Sequence, residues 1–194
     1  LVDMLIIKIK KKTFNSHFVG LKNLTDIFKY KIPKSFIQIG TGGEYEKLKS
    51  PHSESLKCKP RSIYNKSKFL STKHLISLYN SIAFPCTILR LYQTFGPYQD
   101  INRLIPIVIY NCLKDKKFPC SNGSQHRDFL YIDDFINIII KCIRSEKARG
   151  QIFNIGSGKP LKLKKIINYI NFSIKKGKPL FGKIKLRSDE ALLT

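Results

Sequence analysis

The sequence predicts an α/β protein built around parallel strands. Helix-like and strand-like segments alternate through its first half. This alternation is typical of parallel sheets, in which helices connect successive strands. The strand-like segments are short apolar runs bounded by glycine or proline, as expected for strands that are buried on both faces. We therefore expect helices packed against a parallel sheet.

Hydrophobic spacing locates the individual elements. Apolar residues at helical spacing predict a helix from Phe18 to Tyr30, which Pro33 closes, and a longer helix from Tyr64 to Asn80. Continuous apolar runs predict buried strands from Phe36 to Ile39 and from Phe84 to Leu91. The later predicted elements are a helix from Leu104 to Leu113, a strand from Phe129 to Ile132, a helix capped by Asp133 or Asp134 and ending near Ser145, a strand from Gln151 to Ile155, and a helix from Leu161 to Ile170.

Length and charge bound the classes of function. A chain of 194 residues, 42% of them hydrophobic, can form one domain or a large and a small lobe with a real core. Its net charge of +23 raises the alternative of a basic nucleic-acid-binding protein. Lysine is spread along almost every segment, and neither a zinc-finger spacing nor an aromatic RNA-binding signature occurs. Nucleic acid is therefore not the expected partner.

Cysteine usage and the opening segment indicate a reduced cytoplasmic setting. The five cysteines are scattered, and none forms a C-x-x-C pair, so neither a disulfide framework nor a metal site is expected. The four histidines show no metal-binding spacing, and no role is assigned to them. The opening LVDMLIIKIKKK is too short to span a bilayer and lacks the order of a signal peptide. No membrane association is expected.

Tyr64 and Lys68 carry the strongest local signal for chemistry. Residues four positions apart on a helix share one face. An ammonium close to a phenol favours the tyrosinate, which a phenol needs in order to act as a base near neutral pH. The spacing is also that of an ordinary surface pair, so its context decides between the two interpretations. Upstream, the strand ending at Ile39 delivers Thr41 into a glycine-rich loop before Tyr45.

Thr41, Tyr64 and Lys68 together resemble the Ser/Thr, Tyr and Lys triad of the NAD-dependent epimerase/dehydratase family, the extended short-chain dehydrogenases/reductases. The loop IGTGGEYE resembles the family's S-[ST]-x-x-x-Y-G segment at Thr41 and Tyr45. It departs from that segment at Gly40, where serine is usual, and at Glu46, where glycine is usual.

Four further segments continue the resemblance in order along the chain. They are LRLYQTFGPYQD (residues 89–100), INRLIP (101–106), RDFLYIDD (127–134) and FNIGSGKP (153–160). The first resembles L-R-x-x-N-x-Y-G-P, with Gln93 and Phe95 in place of asparagine and tyrosine. The others resemble the sugar-nucleotide clamp, R-D-[FY]-[IV]-[HY]-V-x-D and [FY]-N-[IL]-G-[ST]-G. Taken together in order, the segments are far more specific than any one alone.

This resemblance implies a partial Rossmann-like, doubly wound parallel sheet that lacks its first half, plus a small carboxy-terminal α/β lobe for substrate. We expect residues 1–97 to form the second half of the NAD-binding domain and residues 98–194 to form an incomplete substrate lobe. The implied cofactor is NAD or NADP, the implied substrate is a nucleotide-diphosphate sugar, and the parent enzyme is expected to be a homodimer.

The resemblance also implies roles for single residues. Tyr64 would take a proton from a sugar hydroxyl, Lys68 would bind the nicotinamide ribose, and Thr41 would hydrogen-bond the reacting hydroxyl. Tyr64 and Lys68 thus double as cofactor-binding residues. Three polar side chains are candidates for substrate contacts, because asparagine and arginine positions of the family serve substrate and arginine suits phosphate oxygens. They are Gln93, Arg103 and Arg127.

Two departures from the family shape the functional expectation. No G-x-x-G-x-x-G loop for the dinucleotide pyrophosphate occurs. We therefore expect an amino-terminally truncated enzyme with weak or no NAD binding and little turnover. Dehydratases usually follow the threonine with Asp-Glu, whereas Gly42 and Gly43 follow Thr41, which favours an epimerase or ketoreductase. An inactive structural remnant is the other alternative. His17 stands where the family usually has asparagine.

Overall fold

The computed structural model describes residues 2–46 and 48–186, with side chains from residue 7 onward. The α-helices are α1 (Val2–Phe14), α2 (Gly20–Phe28), α3 (Ile63–Ile82), α4 (Leu104–Leu113), α5 (Ile132–Arg144) and α6 (Leu163–Ile174). The strands are β1 (Phe36–Ile39), β2 (Cys86–Leu91), β3 (Gln93–Phe95), β4 (Lys117–Pro119), β5 (His126–Arg127), β6 (Phe129–Tyr131), β7 (Ile152–Ile155), β8 (Leu161–Lys162) and β9 (Lys178–Leu180).

The first compact unit holds a three-stranded parallel sheet. It comprises residues 1–92 and 135–155, of which Leu1 and Lys47 lie outside the described residues. The strand order is β1–β2–β7, and all pairs are parallel. Ile39 pairs with Leu89 and Leu91 with Ile155, so the carboxyl ends of the three strands lie together at one edge. In open α/β sheets ligands bind at that edge.

Apolar residues of α2, α3 and the sheet form the core of this unit. Leu75 on α3 and Phe84, Cys86 and Ile88 around β2 have no solvent exposure, and Leu21 of α2 packs against the same cluster. Burial of this kind holds a helix on a sheet, because each apolar side chain removed from water contributes about 1.5–3 kcal/mol. The alternation of helix and strand predicted from the sequence is thus confirmed as a packed parallel layer.

A π-helical turn joins the first two helices. Residues Asn15–Val19 form this turn between α1 and α2, and the backbone stays in the right-handed helical region at both ends of the turn. No element was predicted before Phe18, where the helix was expected to begin. The helical structure instead starts at Val2. Short π-helical turns inside α-helices occur frequently at functional sites.

The second compact unit comprises residues 93–134 and 156–194, of which 187–194 lie outside the described residues. Its strands form three small pairs: β3 with β6 and β4 with β9 in parallel, and β5 with β8 antiparallel. Its core lies between α4 and α6. There Val108 and Cys112 meet Ile167, with Phe118 and Cys120 beside them.

The two units interleave along the chain, which differs from the expected division at residue 97. Helix α5 from Phe135 onward and strand β7 return to the first unit, because β7 pairs with β2 in the parallel sheet. Hydrophobic spacing identifies β7 as a strand without showing which strand it pairs with. Helix α5 also begins two or three residues earlier than a cap at Asp133 or Asp134 would require, so both aspartates lie in its first turn rather than capping it.

The longest helix of the described residues is α3, and none of the described helices combines the length and apolarity required to cross a bilayer.

Candidate active site

Helix α3 places Tyr64 and Lys68 on one face, as their spacing predicts. The helix starts after Ser62, whose hydroxyl accepts a hydrogen bond from the Asn65 backbone N–H, a frequent helix start. Tyr64 lies in the first turn and is 41% exposed. The Lys68 Nζ lies 6.0 Å from the centroid of the Tyr64 ring. The pair therefore combines an accessible phenol with a cation one helical turn away.

The Lys68 ammonium is anchored to the end of the first strand. Its Nζ donates a hydrogen bond to the Ile39 carbonyl oxygen at 2.8 Å, two residues before Thr41. Burial lowers the pKa of Lys68, and the nearby Glu44 carboxylate works in the opposite direction. The bond to Ile39 ties helix α3 to the strand that delivers Thr41.

Thr41 starts a tight turn that packs against the beginning of α3. Its Oγ1 accepts a hydrogen bond from the Gly43 N–H at 3.1 Å, and its own N–H donates to the Glu44 carboxylate at 3.4 Å. The two bonds form a capping box for the 3₁₀ turn Gly42–Glu44. A threonine hydroxyl has one donor and two lone pairs. Accepting this bond therefore leaves its O–H able to donate elsewhere.

The two glycines after Thr41 are needed because other side chains fill the space around them. A Cβ on Gly42 would lie 2.8 Å from the Tyr92 ring, and a Cβ on Gly43 would lie 2.3 Å from the Asn65 side-chain oxygen. The Tyr92 ring is held by a hydrogen bond between its hydroxyl and the His52 Nδ1 at 2.8 Å. The site thus lacks the Asp-Glu pair, and side chains at these two positions would require Tyr92 and Asn65 to move.

A network of buried polar side chains fixes the 3₁₀ turn Gly42–Glu44. Glu44 is fully buried, and its carboxylate accepts from Arg90 Nε at 3.0 Å and from Thr72 Oγ1 at 3.1 Å. Arg90 also donates to the Tyr45 hydroxyl at 2.7 Å, and that hydroxyl donates to the Asn154 side-chain oxygen at 2.8 Å. Burial raises the pKa of Tyr45. The Tyr45 hydroxyl therefore has a structural role in this network and is not a candidate acid or base.

Gly40, Gly42 and Gly43 do not form a phosphate-binding loop. Most of the backbone N–H groups here are already used: that of Gly40 donates to Leu89, that of Gly43 to the Thr41 hydroxyl, and those of Glu44 and Tyr45 within the turn. The turn leads into no helix before Ile63. A dinucleotide pyrophosphate needs open amides at a helix start. The residues present therefore fit the nicotinamide end of a dinucleotide and not its pyrophosphate.

His17, to which the sequence analysis assigns no role, lies against Tyr64. Its imidazole lies edge-to-face against the Tyr64 ring, with the ring centroids 5.1 Å apart and the planes at 82°. The His17 carbonyl also accepts a hydrogen bond from the buried Ser71 hydroxyl at 2.8 Å. The available signal was its place at an asparagine position of the family, three residues before Gly20.

The three candidate substrate residues belong to the second unit, whereas Thr41, Tyr64 and Lys68 belong to the first. Gln93 is exposed on β3, and its N–H donates to the Asp128 carbonyl. Arg127 is half-buried on β5, and its guanidinium donates to the His126 carbonyl at 2.8 Å. Arg103 is exposed and precedes helix α4. Each of the three is a polar side chain that reaches solvent.

The Gly156-Ser157-Gly158 turn binds a carboxylate of the chain itself. The N–H and hydroxyl of Ser157 both donate to Asp128 at 2.6 Å, and the Gly158 N–H donates to it at 2.7 Å. A Cβ on Gly156 would lie 2.6 Å from the same carboxylate. This agrees with a structural interpretation of the motif.

A parallel sheet with an anchored Tyr–Lys helix beside it is typical of α/β folds of the dinucleotide-binding class. The sequence profile of the NAD dependent epimerase/dehydratase family matches residues 7–156. The chain therefore belongs to this family. The match includes the π-helical turn and His17.

The chain resembles characterised relatives over most of its own length. It is 29% identical over 133 residues to the probable dTDP-glucose 4,6-dehydratase of Sinorhizobium fredii, covering 68% of this chain and 36% of that protein. The UDP-glucuronic acid 4-epimerase of Bacillus cereus, solved with UDP-glucuronic acid and NAD, has a TM-score of 0.81 at 27% identity, covering 92% of this chain and 57% of that one.

A third comparison extends the similarity of fold. The UDP-glucose 4-epimerase of Thermotoga maritima, solved with UDP-glucose, has a TM-score of 0.88 at 21% identity. That alignment covers 98% of this chain and 63% of the epimerase. The chain thus spans between about a third and two thirds of the length of these relatives, and the Rossmann-like fold class is confirmed.

Proposed function

We propose that this chain carries the proton-transfer site of a nucleotide-sugar epimerase or ketoreductase. The observation that supports this most directly is the joint placement of Tyr64 and Lys68. The Lys68 Nζ lies 6.0 Å from the Tyr64 ring centroid and is bonded to Ile39 at the carboxyl end of β1. A phenol and a cation fixed at that edge of a parallel sheet are placed for general acid–base chemistry.

Each of the three residues has a defined part in the proposal. Tyr64 takes the proton of a sugar hydroxyl, and Lys68 stabilises the tyrosinate by its charge. Thr41 donates its O–H to the reacting oxygen. This O–H is free to do so because the Gly43 amide is bound by a lone pair of the same oxygen. A bound NAD(P) would accept the hydride when a hydroxyl is oxidised or donate it when a ketone is reduced, and Lys68 would be the residue that binds its ribose. General acid–base catalysis by one such side chain is worth about 10²–10⁴-fold in rate.

The turn after Thr41 favours epimerisation or keto reduction over dehydration. Loss of water from a sugar needs an acid and a base besides the tyrosine. Gly42 and Gly43 offer neither, and Tyr92 and Asn65 fill the adjacent space. Glu44 is the nearest carboxylate in the turn, but it is fully buried and paired with Arg90.

Gln93, Arg103 and Arg127 remain proposed contacts for the nucleotide diphosphate. Arginine presents a planar fork of donors that matches phosphate oxygens. The +23 charge of the chain also attracts an anionic substrate by long-range electrostatics. Binding of UDP to this chain, measured by calorimetry, should weaken in Arg127→Gln while the fold is retained. Equal affinity in both proteins would remove Arg127 from the site.

The experiment that tests the proposed function joins this chain to the amino-terminal half of a relative. Alone, the 194 residues are expected to bind NAD weakly, because the sequence carries no glycine-rich pyrophosphate motif. Behind a donor half that supplies this motif, the fusion should bind NAD and reduce it with a nucleotide sugar. If NAD binding is restored and the Tyr64→Phe fusion reduces NAD equally fast, the proposed function is wrong.

A further inference from the structure

We infer that His17 is a positioning residue that holds the Tyr64 phenol beside Lys68 and does so as a neutral imidazole. The inference rests on the proposed function only for its consequence in catalysis. Its structural basis is the edge-to-face contact of the two rings, with centroids 5.1 Å apart and planes at 82°. This arrangement is the preferred geometry of aromatic pairs, and it restricts how the Tyr64 side chain can turn.

The π-helical turn presents His17 to this contact. His17 lies in the middle of the turn Asn15–Val19, and its carbonyl accepts from the Ser71 hydroxyl on α3 at 2.8 Å. The Ser71 hydroxyl also lies 2.9 Å from the Ser67 carbonyl oxygen, so the two carbonyls share its single hydrogen, and Ser71 is fully buried. Ser71 follows Tyr64 and Lys68 at helical spacing on the same face of α3. The turn is therefore fixed to the face that carries the catalytic pair.

The charge of Lys68 favours the neutral form of His17. Burial of the imidazole is the main cause that lowers the pKa of His17, and the charge of Lys68 adds to it. From the turn after β1, the Glu44 carboxylate acts on Lys68 but is itself paired with Arg90. A protonated His17 would place a second cation beside Lys68.

Two roles follow for one side chain. The neutral ring keeps the phenol in the orientation in which the Lys68 cation faces it. A positive charge on His17 would repel Lys68 and disturb that arrangement, because like charges in a half-buried site are weakly screened. His17 thus sets an acidic limit below which the Tyr64–Lys68 pair is no longer held as in the structure.

The test uses NMR on the full chain with labelled histidine and tyrosine rings, and it needs neither cofactor nor turnover. The Tyr64 ring resonances should shift with the same midpoint as the His17 imidazole during a pH titration. In Lys68→Met the His17 midpoint should rise, whereas that of His74, which responds to Lys22 and Lys29, should stay. Tyr64 resonances that ignore the His17 titration, or a His17 midpoint unmoved by Lys68→Met, would overturn the inference.

Two substitutions separate ring contact from charge. His17→Phe keeps a ring against Tyr64, so the Tyr64 side chain should remain ordered but lose its response to acidic pH. His17→Ala removes the contact, and the Tyr64 ring should show increased motion in relaxation measurements while the dispersion of other signals shows a folded chain. Unchanged Tyr64 order in His17→Ala would contradict the inference. Failure of the proposed function would appear instead in the hydride assay of the fusion protein and would leave these spectra unchanged.

Discussion

The Arg90 guanidinium and the Glu44 carboxylate form a fully buried ion pair, with Nε and Oε2 3.0 Å apart and both side chains at most 3% exposed. This pair lies beneath the turn that carries Thr41, because Glu44 closes the capping box and Arg90 stands on the central strand β2. The geometry of the proposed site therefore depends on a charge pair that takes no part in the chemistry.

Removal of one partner from this pair should be costly. Arg90→Met leaves the Glu44 carboxylate buried without its cation, and loss of one buried partner typically destabilises by about 3–5 kcal/mol. Urea unfolding followed by circular dichroism measures the free energy. The double variant Glu44→Gln/Arg90→Met is the control, since it leaves no unpaired charge and should be less destabilised than Arg90→Met. If both variants lost the same free energy of unfolding, the ion pair itself would contribute little to stability.

A methyl group at Gly42 should strain the turn. Its Cβ would lie 2.8 Å from the Tyr92 ring, which His52 holds in place, so we expect Gly42→Ala to lose about 1–3 kcal/mol. Gly20→Ala is the matched control. The nearest neighbour to a Cβ there is 3.4 Å away, and alanine in a helix is favoured over glycine by up to about 1 kcal/mol. The prediction fails if Gly42→Ala unfolds at the same urea concentration as the native chain.

Lys68→Met should not destabilise the fold. Burial lowers the pKa of Lys68 below its ordinary value of 10.5. At neutral pH the folded state therefore carries the cost of a partly desolvated ammonium, a cost that shrinks as the pH rises from the folded-state pKa to 10.5. Lys68→Met removes this cost together with the hydrogen bond to Ile39, so the two effects should nearly cancel and the free energy of unfolding should change by less than about 1 kcal/mol. Exposed Lys73→Met should change it by less than about 0.5 kcal/mol, and a marked loss in Lys68→Met would contradict the prediction.

His74 should make the fold less stable in mild acid. Burial is the main cause that lowers the pKa of His74 below 6.5, and Lys22 and Lys29 add to it. As the pH falls below 6.5 the unfolded chain takes up the proton first. Stability is therefore full above 6.5 and declines as the pH falls toward the folded-state pKa.

The His74→Gln variant tests this dependence. A glutamine can keep a hydrogen bond to the Thr25 hydroxyl, which lies 2.9 Å from the His74 Nε2, but it does not titrate in this range. The free energy of unfolding should therefore fall less steeply between pH 7 and 5.5 than in the native chain. Identical slopes for the two proteins would show that His74 does not contribute to the pH dependence.

Local pattern predicted the principal elements of the fold because their cores are strongly apolar. The FIQI run became β1 at Phe36–Ile39, and α4 covers Leu104–Leu113 as predicted. Short strands escaped prediction: β5 and β8 have two residues each, too few for any periodicity. The return of β7 to the first sheet is a matter of pairing between distant segments, which hydrophobic spacing does not encode.

The candidate site was predictable only where spacing fixes geometry. Tyr64 and Lys68 share a face because a helical turn places them so. The contact of His17 with Tyr64 depends on a π-helical turn and on tertiary packing, and neither leaves a pattern in the sequence. The burial of Glu44 was equally hidden, since a carboxylate in a polar loop gives no sign of an arginine partner on a later strand.

The most direct test is the rate of NAD reduction by a nucleotide sugar in the fusion whose donor half carries a pyrophosphate-binding loop, compared with its Tyr64→Phe counterpart. The phenylalanine variant should fold, because Tyr64 is 41% exposed, and both rates are compared at saturating NAD. Its rate should fall about 10²–10⁴-fold. Equal rates in the two proteins would contradict the assignment of Tyr64 as the group that takes the sugar's proton.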